Sequence, residues 1–238
     1  LHILHPLTTT LLFDPMDSVS LPDGLRYLVI EGVIGAGKTT LARLLADHLD
    51  ARLVCEKFED NPFLERFYES KSEWAFQTQL AFLASRFRQQ KELAKGDLFH
   101  QLTVSDYSFD KDRIFAHQTL EGDELQLYDT LYRLMEPNAP VPDLVVYLQS
   151  SPDRLLRNIA KRDRPYERDI EREYIEELHA AYTQYFQHYR KSPLLVVNAT
   201  ELDFVKHPSH FTAILDHVLA TDLSGTTYCT PMASPSRA

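Results

Sequence analysis

An α/β fold, with one parallel five-stranded sheet and helices on both faces, is predicted by three observations. Short apolar runs alternate along the chain with longer stretches of helical periodicity, the pattern of strands joined by crossover helices. The run Asp143-Leu-Val-Val-Tyr-Leu148 is apolar almost throughout, as a strand covered on both sides must be. The stretch Tyr27-Leu-Val-Ile-Glu-Gly-Val-Ile-Gly-Ala-Gly-Lys-Thr-Thr40 joins an apolar strand to a helix through a loop with little side-chain bulk.

That loop has the spacing Gly32-x-x-x-x-Gly37-Lys38-Thr39, the phosphate-binding P-loop, in the strand–loop–helix context that the motif requires. Backbone N–H groups from Gly32, Gly35, Ala36, Gly37, Lys38, Thr39 and Thr40 can surround an anion, and the helix N-terminus adds its positive end. Lys38 can reach the outer phosphates of a nucleoside triphosphate, and the Thr39 hydroxyl can ligate Mg²⁺. The fold class is therefore that of a P-loop NTPase.

Leu28, Val29 and Ile30 form the first strand, and Leu41, Leu44, Leu45 and Leu49 space the following helix. Ala51–Glu56 reads as a second buried strand ending in a carboxylate, at the sheet edge where ligand chemistry gathers. Asn61 is a candidate N-cap, with Pro62 at the first position of a short helix through Tyr68. Trp74–Lys95 is the longest helical pattern, with Phe76, Leu80, Leu83 and Phe87 as its core stripe. Gln79 and Arg86 share a face beside that stripe, and their periodicity alone favours a solvated boundary. Gln101–Asp106 is a third strand, again ending in an acid. Of Glu56 and Asp106, one can hold Mg²⁺ and the other can accept a proton, or both can merely cap helices.

A helix over Asp123–Met135 follows, and then three prolines, Pro137, Pro140 and Pro142, keep the connection out of helix. After the fourth strand, Ser151 and Pro152 mark a helix start. That helix ends in Lys161-Arg-Asp-Arg-Pro165, which beside a P-loop reads as a lid whose arginines neutralise phosphate. Helices at Glu171–Arg190 and Ser209–Leu219 flank a fifth strand at Leu194–Asn198. Residues 26–221 are read as one domain, residues 1–25 as a disordered N-terminal extension and residues 222–238 as a flexible tail. Met16 is the first methionine, which marks residues 1–15 as an upstream extension or a remnant of a larger product.

The formal net charge of −10 argues against a nucleic-acid polymer as partner, because phosphate backbones require basic surfaces. No apolar run approaches a membrane span, and residues 1–13 lack the basic start of a signal peptide, so no membrane partner is expected. Two cysteines, Cys55 and Cys229, make no disulfide framework, which fits a reducing cytoplasm.

As a set, these motifs resemble the deoxynucleoside kinase family, in particular its bacterial deoxyadenosine/deoxyguanosine kinases. The resemblance runs from Tyr27 to Asn198, through Glu56-Lys-Phe-Glu-Asp-Asn-Pro-Phe-Leu64, Trp74–Phe87, Ser105–Ala116, Pro142–Leu148 and Lys161–Glu167. It implies a nucleoside-kinase-like fold with a short basic lid, and transfer of the γ-phosphate of ATP, with Mg²⁺, to the 5′-hydroxyl of a deoxynucleoside. The base would be adenine or guanine, with cytosine also compatible. Glu56 would be the general base, and Asp106 would hold Mg²⁺ with Thr39. Tyr68 and Glu167 would bind the sugar 3′-hydroxyl; Gln79, Arg86 and Asp112 would read the base edge; Trp74 and Phe115 would wall the base pocket. Arg162 and Arg164 would be the lid arginines, and a homodimer is implied.

Many members carry an arginine between the acid and the serine after the third strand. Here that position is Tyr107, so one cation near the phosphates is missing or supplied elsewhere. The alternatives are a nucleoside monophosphate kinase of the thymidylate-kinase type, whose acceptor site needs basic residues, and a nucleotide-binding module without turnover.

Overall fold

The computed structural model describes residues 20–93 and 99–230. In chain order its elements are β1 (Tyr27–Glu31), α1 (Lys38–His48), β2 (Arg52–Val54), α2 (Leu64–Glu69), α3 (Lys71–Leu93), β3 (Thr103–Ser105), α4 (Lys111–Thr119), α5 (Gly122–Met135), β4 (Leu144–Gln149), α6 (Pro152–Arg162), α7 (Arg172–Gln187), β5 (Leu194–Asn198), α8 (Pro208–Leu219) and β6 (Thr226–Cys229). The sheet order is β2-β3-β1-β4-β5-β6, and every pairing is parallel.

The sheet thus has six strands, not the five expected. The additional strand lies in the stretch read as a flexible tail: Thr226 pairs opposite Leu194, and Cys229 opposite Val197. Thr226, Thr227 and Tyr228 are exposed and only Cys229 is buried, so hydropathy did not mark this edge strand. Residues 231–238 lie outside the described residues. So do residues 1–19, and with them the suspected upstream extension. Leu25, assigned by sequence to the extension, is buried in the core.

β1 and β4 are central, and Leu28, Val29, Ile30 and Val146 have no exposed surface. β2 is the opposite edge, and its three residues are half-buried rather than buried. In a parallel sheet all strands point the same way. The loops after β1, β2, β3, β4 and β5 therefore meet at one edge, and the P-loop stands there with Glu56 and Asp106.

Ser151 caps α6 as expected, its hydroxyl accepting the Arg154 N–H at 3.4 Å. Asn61 does not cap α2. Its Oδ1 accepts the Phe63 N–H at 3.0 Å, closing a turn before the helix begins at Leu64. On α3 the buried face is Ala75, Thr78, Gln79, Leu83, Arg86 and Gln90, whereas Phe76, Leu80 and Phe87 are half-buried. The face nearest the interior is thus largely polar. The solvated boundary expected for Gln79 and Arg86 is not what the structure has. The end of that helix expected at Ala94 and Lys95 lies outside the described residues.

Candidate active site

Gly32 and Gly35 allow the P-loop to pass close to its neighbours. A Cβ on Gly32 would stand 2.8 Å from the Leu148 carbonyl oxygen, and one on Gly35 2.7 Å from that of Leu155. Gly35 also has φ +84°, where only glycine is unstrained. Asn158 of α6 donates to the Gly35 carbonyl at 2.8 Å and braces the loop from outside. Lys38 Nζ folds back onto the loop, donating to the carbonyls of Gly32 at 2.7 Å and Val33 at 3.1 Å. Burial and the neighbouring Lys111 lower its pKa to about 8, against the pull of Glu31, Glu56 and Asp106.

Asp106 joins three elements. One carboxylate oxygen accepts the Thr39 hydroxyl, and the other accepts the Glu56 N–H at 2.7 Å. It does not cap α4, which begins five positions later at Lys111. Glu56 is no cap either, since the next helical turn starts at Phe58. The bland reading of both acids is therefore set aside.

Glu56 lies between two regions. On one side is an open cavity of ≈ 1270 Å³, lined by Gly35–Thr40, Glu56, Asp106, Arg154, Asn158, Lys161, Arg162, Arg164 and Phe204. On the other side is a buried polar cluster. Glu56 Oε1 accepts from Arg86 Nε at 2.9 Å and also from its terminal nitrogen, while Arg86 donates its other terminal nitrogen to Asp112. Glu56 Oε2 accepts from Lys111 Nζ. Burial would raise the Glu56 pKa, but Arg86 and Lys111 hold it well below the usual carboxylate range. Burial pushes the Asp112 carboxyl upward, with Arg86 opposing it.

Gln79 Nε2 donates to the Thr119 hydroxyl at 3.1 Å. The Gln79 carbonyl oxygen and the second oxygen of Asp112 are buried without protein partners. Such atoms are costly unless a ligand completes them. Trp74 stacks on Phe63 with centroids 5.9 Å apart, and Phe115 meets Tyr182 edge-on at 6.1 Å. Tyr68 stacks on Tyr166 at 5.8 Å. Glu167 accepts from Arg162 Nε at 3.0 Å and from Arg164 at 3.5 Å, and the Arg164 guanidinium lies 4.1 Å over the Phe58 ring. Tyr68, Trp74, Gln79, Arg86, Asp112, Phe115 and Glu167 do not line the P-loop cavity. Glu56 connects Arg86 and Asp112 to it, and the lid arginines connect Glu167.

Two residues escaped the sequence reading. Lys111 lies in the quoted Ser105–Ala116 stretch, but nothing in its spacing says that it reaches across to Glu56 after β2. Tyr107 is fully buried, and the cation that meets Glu56 is Lys111, the first residue of α4. Glu31 is the other: fully buried at the end of β1, it accepts the Ser108 N–H at 2.6 Å, the Ser108 hydroxyl at 2.9 Å and the Gly32 N–H at 3.1 Å. It clamps the loop after β3 to the P-loop.

A phosphate loop facing a carboxylate, with arginines opposite, defines a P-loop kinase for a small acceptor. The deoxynucleoside kinase family profile matches residues 28–223, and the chain belongs to that family of phosphotransferases. It is 36% identical over 201 residues to the deoxyguanosine kinase of Bacillus subtilis (strain 168), covering 81% of this chain and 95% of that one. It is 30% identical over 200 residues to the deoxyadenosine/deoxycytidine kinase of the same organism, covering 80% and 90%. A solved structure of M. mycoides deoxyadenosine kinase superposes with TM-score 0.71 at 26% identity, over 81% of this chain and 98% of that one. Among the described residues no helix is long and apolar enough to cross a membrane.

Proposed function

We propose that this enzyme phosphorylates the 5′-hydroxyl of a purine deoxynucleoside, with ATP as donor, in nucleoside salvage in the cytoplasm. The observation that carries the reading is the position of Glu56, between the phosphate cavity and the buried Arg86–Asp112 pair, with Gln79 buried on the same helix as Arg86. A base edge in that cluster would complete the unpartnered acceptors of Gln79 and Asp112, and a wrong base would leave them unpaired. Tyr68 and Glu167 take the sugar 3′-hydroxyl, and Trp74 and Phe115 wall the base. The relatives named deoxyguanosine kinase and deoxyadenosine kinase support the purine preference, and the one named deoxyadenosine/deoxycytidine kinase keeps deoxycytidine as a further acceptor.

The P-loop amides and Lys38 hold the donor phosphates, and Arg162 and Arg164 exchange Glu167 for phosphate oxygens. Glu56 takes the proton of the 5′-hydroxyl as its oxygen attacks the γ-phosphorus. The Thr39 hydroxyl and Asp106 carboxylate converge as hard oxygen donors and fit Mg²⁺. When bound there, Mg²⁺ neutralises charge on the β- and γ-phosphates.

The first test is transfer from labelled ATP with Mg²⁺ to each deoxynucleoside, to adenosine and to thymidine monophosphate separately. Transfer to deoxyadenosine or deoxyguanosine is expected. Transfer to the monophosphate alone would move the enzyme to the monophosphate-kinase class; that outcome is disfavoured because Glu56 and Glu167 put acids where an acceptor phosphate would need cations. Glu56→Gln is expected to lower turnover by roughly 10²–10⁴ while the deoxynucleoside still binds. An unchanged turnover would exclude Glu56 as base. A homodimer belongs to the same reading, and light scattering of the full chain tests it. Leu127 and Leu134, exposed and seven apart on α5, supply apolar surface for such a contact.

A further inference from the structure

Two polar rungs join α3 to α4. Arg86 bonds Asp112, and seven residues away on each helix Gln79 bonds Thr119. Phe115 lies between the rungs on α4. Each rung leaves one buried acceptor unpartnered: the second oxygen of Asp112, and the amide oxygen of Gln79, a residue only 2% exposed. Thr119, half-buried at the end of α4, has no part in the function argued so far.

Thr119 decides which end of the Gln79 amide is left over. A hydroxyl has one proton and two lone pairs. The Thr119 proton is committed to the Phe115 carbonyl oxygen, 2.9 Å away and one turn back on the same helix. What the hydroxyl offers across the interface is therefore a lone pair. Only the nitrogen end of the Gln79 amide can meet it, and Nε2 donates there at 3.1 Å. Turning the amide over would require the hydroxyl to swing from Phe115 to the Gln79 oxygen, so that two hydrogen bonds become one. One net hydrogen bond amounts to about a fivefold bias between the two orientations.

That orientation matters because the two ends of a carboxamide are opposites: the oxygen accepts and the nitrogen donates. Purines differ in the same sense. Adenine carries an amino donor at position 6 and a ring acceptor at position 1. Guanine carries a carbonyl acceptor at position 6 and an N–H donor at position 1. An amide free to turn over satisfies either order. An amide held one way satisfies one order and leaves buried groups unpaired with the other.

We propose that Thr119 is a positioning residue for base specificity: by holding the Gln79 amide with its oxygen free for the base, it makes the acceptor site distinguish 6-amino from 6-oxo purine deoxynucleosides. This rests on the kinase reading above, in which Gln79 meets the base edge. Thr119 acts through Gln79, and its own anchor is the backbone of Phe115, the residue assigned to the wall of the base pocket.

The test is kcat/KM for deoxyadenosine and for deoxyguanosine, each with ATP and Mg²⁺, and the ratio of the two. The wild type is expected to prefer one of them. Thr119→Val keeps the shape of the side chain and removes the lone pair, and it is expected to bring that ratio about fivefold closer to one. Thr119→Ser keeps the hydroxyl and is expected to hold the ratio within about twofold of wild type. In a Gln79→Ala background, Thr119→Val is expected to leave the ratio unchanged, because the group it acts through is gone. If the valine variant does not fold, Thr119→Ala carries the same criterion. A purely structural Thr119 lowers both kcat/KM values equally and leaves the ratio alone; that result overturns the assignment. So does a wild type that uses both purines equally, or a Thr119→Val effect on the ratio that persists without Gln79. If the wild type transfers to no deoxynucleoside, the kinase reading falls and the role of Thr119 falls with it. If the wild type shows a preference that Thr119→Val leaves unchanged within about twofold, only the role of Thr119 falls.

Discussion

Arg86 shows how one side chain can serve both folding and chemistry. It bridges Glu56 and Asp112 in the interior, so neither acid is left alone there. Its removal exposes the weakness of such pairs: replacing it with an apolar residue leaves two buried carboxyls facing each other. Arg86→Met is expected to cost about 3–5 kcal/mol of stability. Denaturant unfolding would check this, and a loss under about 1 kcal/mol would mean that the cluster is better solvated than its burial indicates. Lys38 makes a complementary point. Folded onto the carbonyls of its own loop, it needs a phosphate to draw it outward.

The decisive element is the P-loop with the two helices that hold it. α1 follows it directly, and α6 presses on it through the Leu155 carbonyl and Asn158. A side chain at Gly35 would be strained by the positive φ, at about 1–2 kcal/mol, and would strike that carbonyl. Gly35→Ala is therefore expected to weaken ATP binding about tenfold or more by calorimetry, while Gly122→Ala, with nothing near its Cβ, should leave binding unchanged. The N-terminus of α6 is simpler. Ser151→Ala removes a cap and is expected to lower stability by about 1 kcal/mol, readable as a shift in thermal midpoint.

For the whole molecule, the sheet closes later in the chain than hydropathy implies. β6 covers the free edge of β5 and buries its own Cys229, starting with the Leu194 N–H to Gly225 carbonyl bond at 2.9 Å. Ending the chain after Thr221 is expected to lower the melting temperature, at about 1 kcal/mol per ladder hydrogen bond lost, and to leave phosphoryl transfer intact. The reason is distance in the sheet: β6 is two strands from β4 and three from β1, whose ends carry the chemistry. Loss of transfer in a folded truncation would place β6 in the active machinery instead.

The P-loop, the two strand-end acids, the Ser151 cap and the central strands were legible in the chain itself. Each is a local pattern: a loop with no room for side chains, an acid after an apolar run, a hydroxyl before proline. Their physics is complete within a few residues, so the order of amino acids was enough to establish a phosphate-binding α/β protein. The burial of Gln79 and Arg86 was not legible by periodicity, because a polar face reads as solvated until another polar surface is brought against it. The place of Lys111 was hidden for the same reason: its partner Glu56 is 55 positions away. β6 was hidden because an edge strand is held by backbone bonds, which every residue can make. Which charges meet, and which oxygen of Glu56 each cation holds, was decided only when the folded sheet brought β2, α3 and α4 together. Electrostatic pairing depends on distance in space, and the sequence records only distance along the chain.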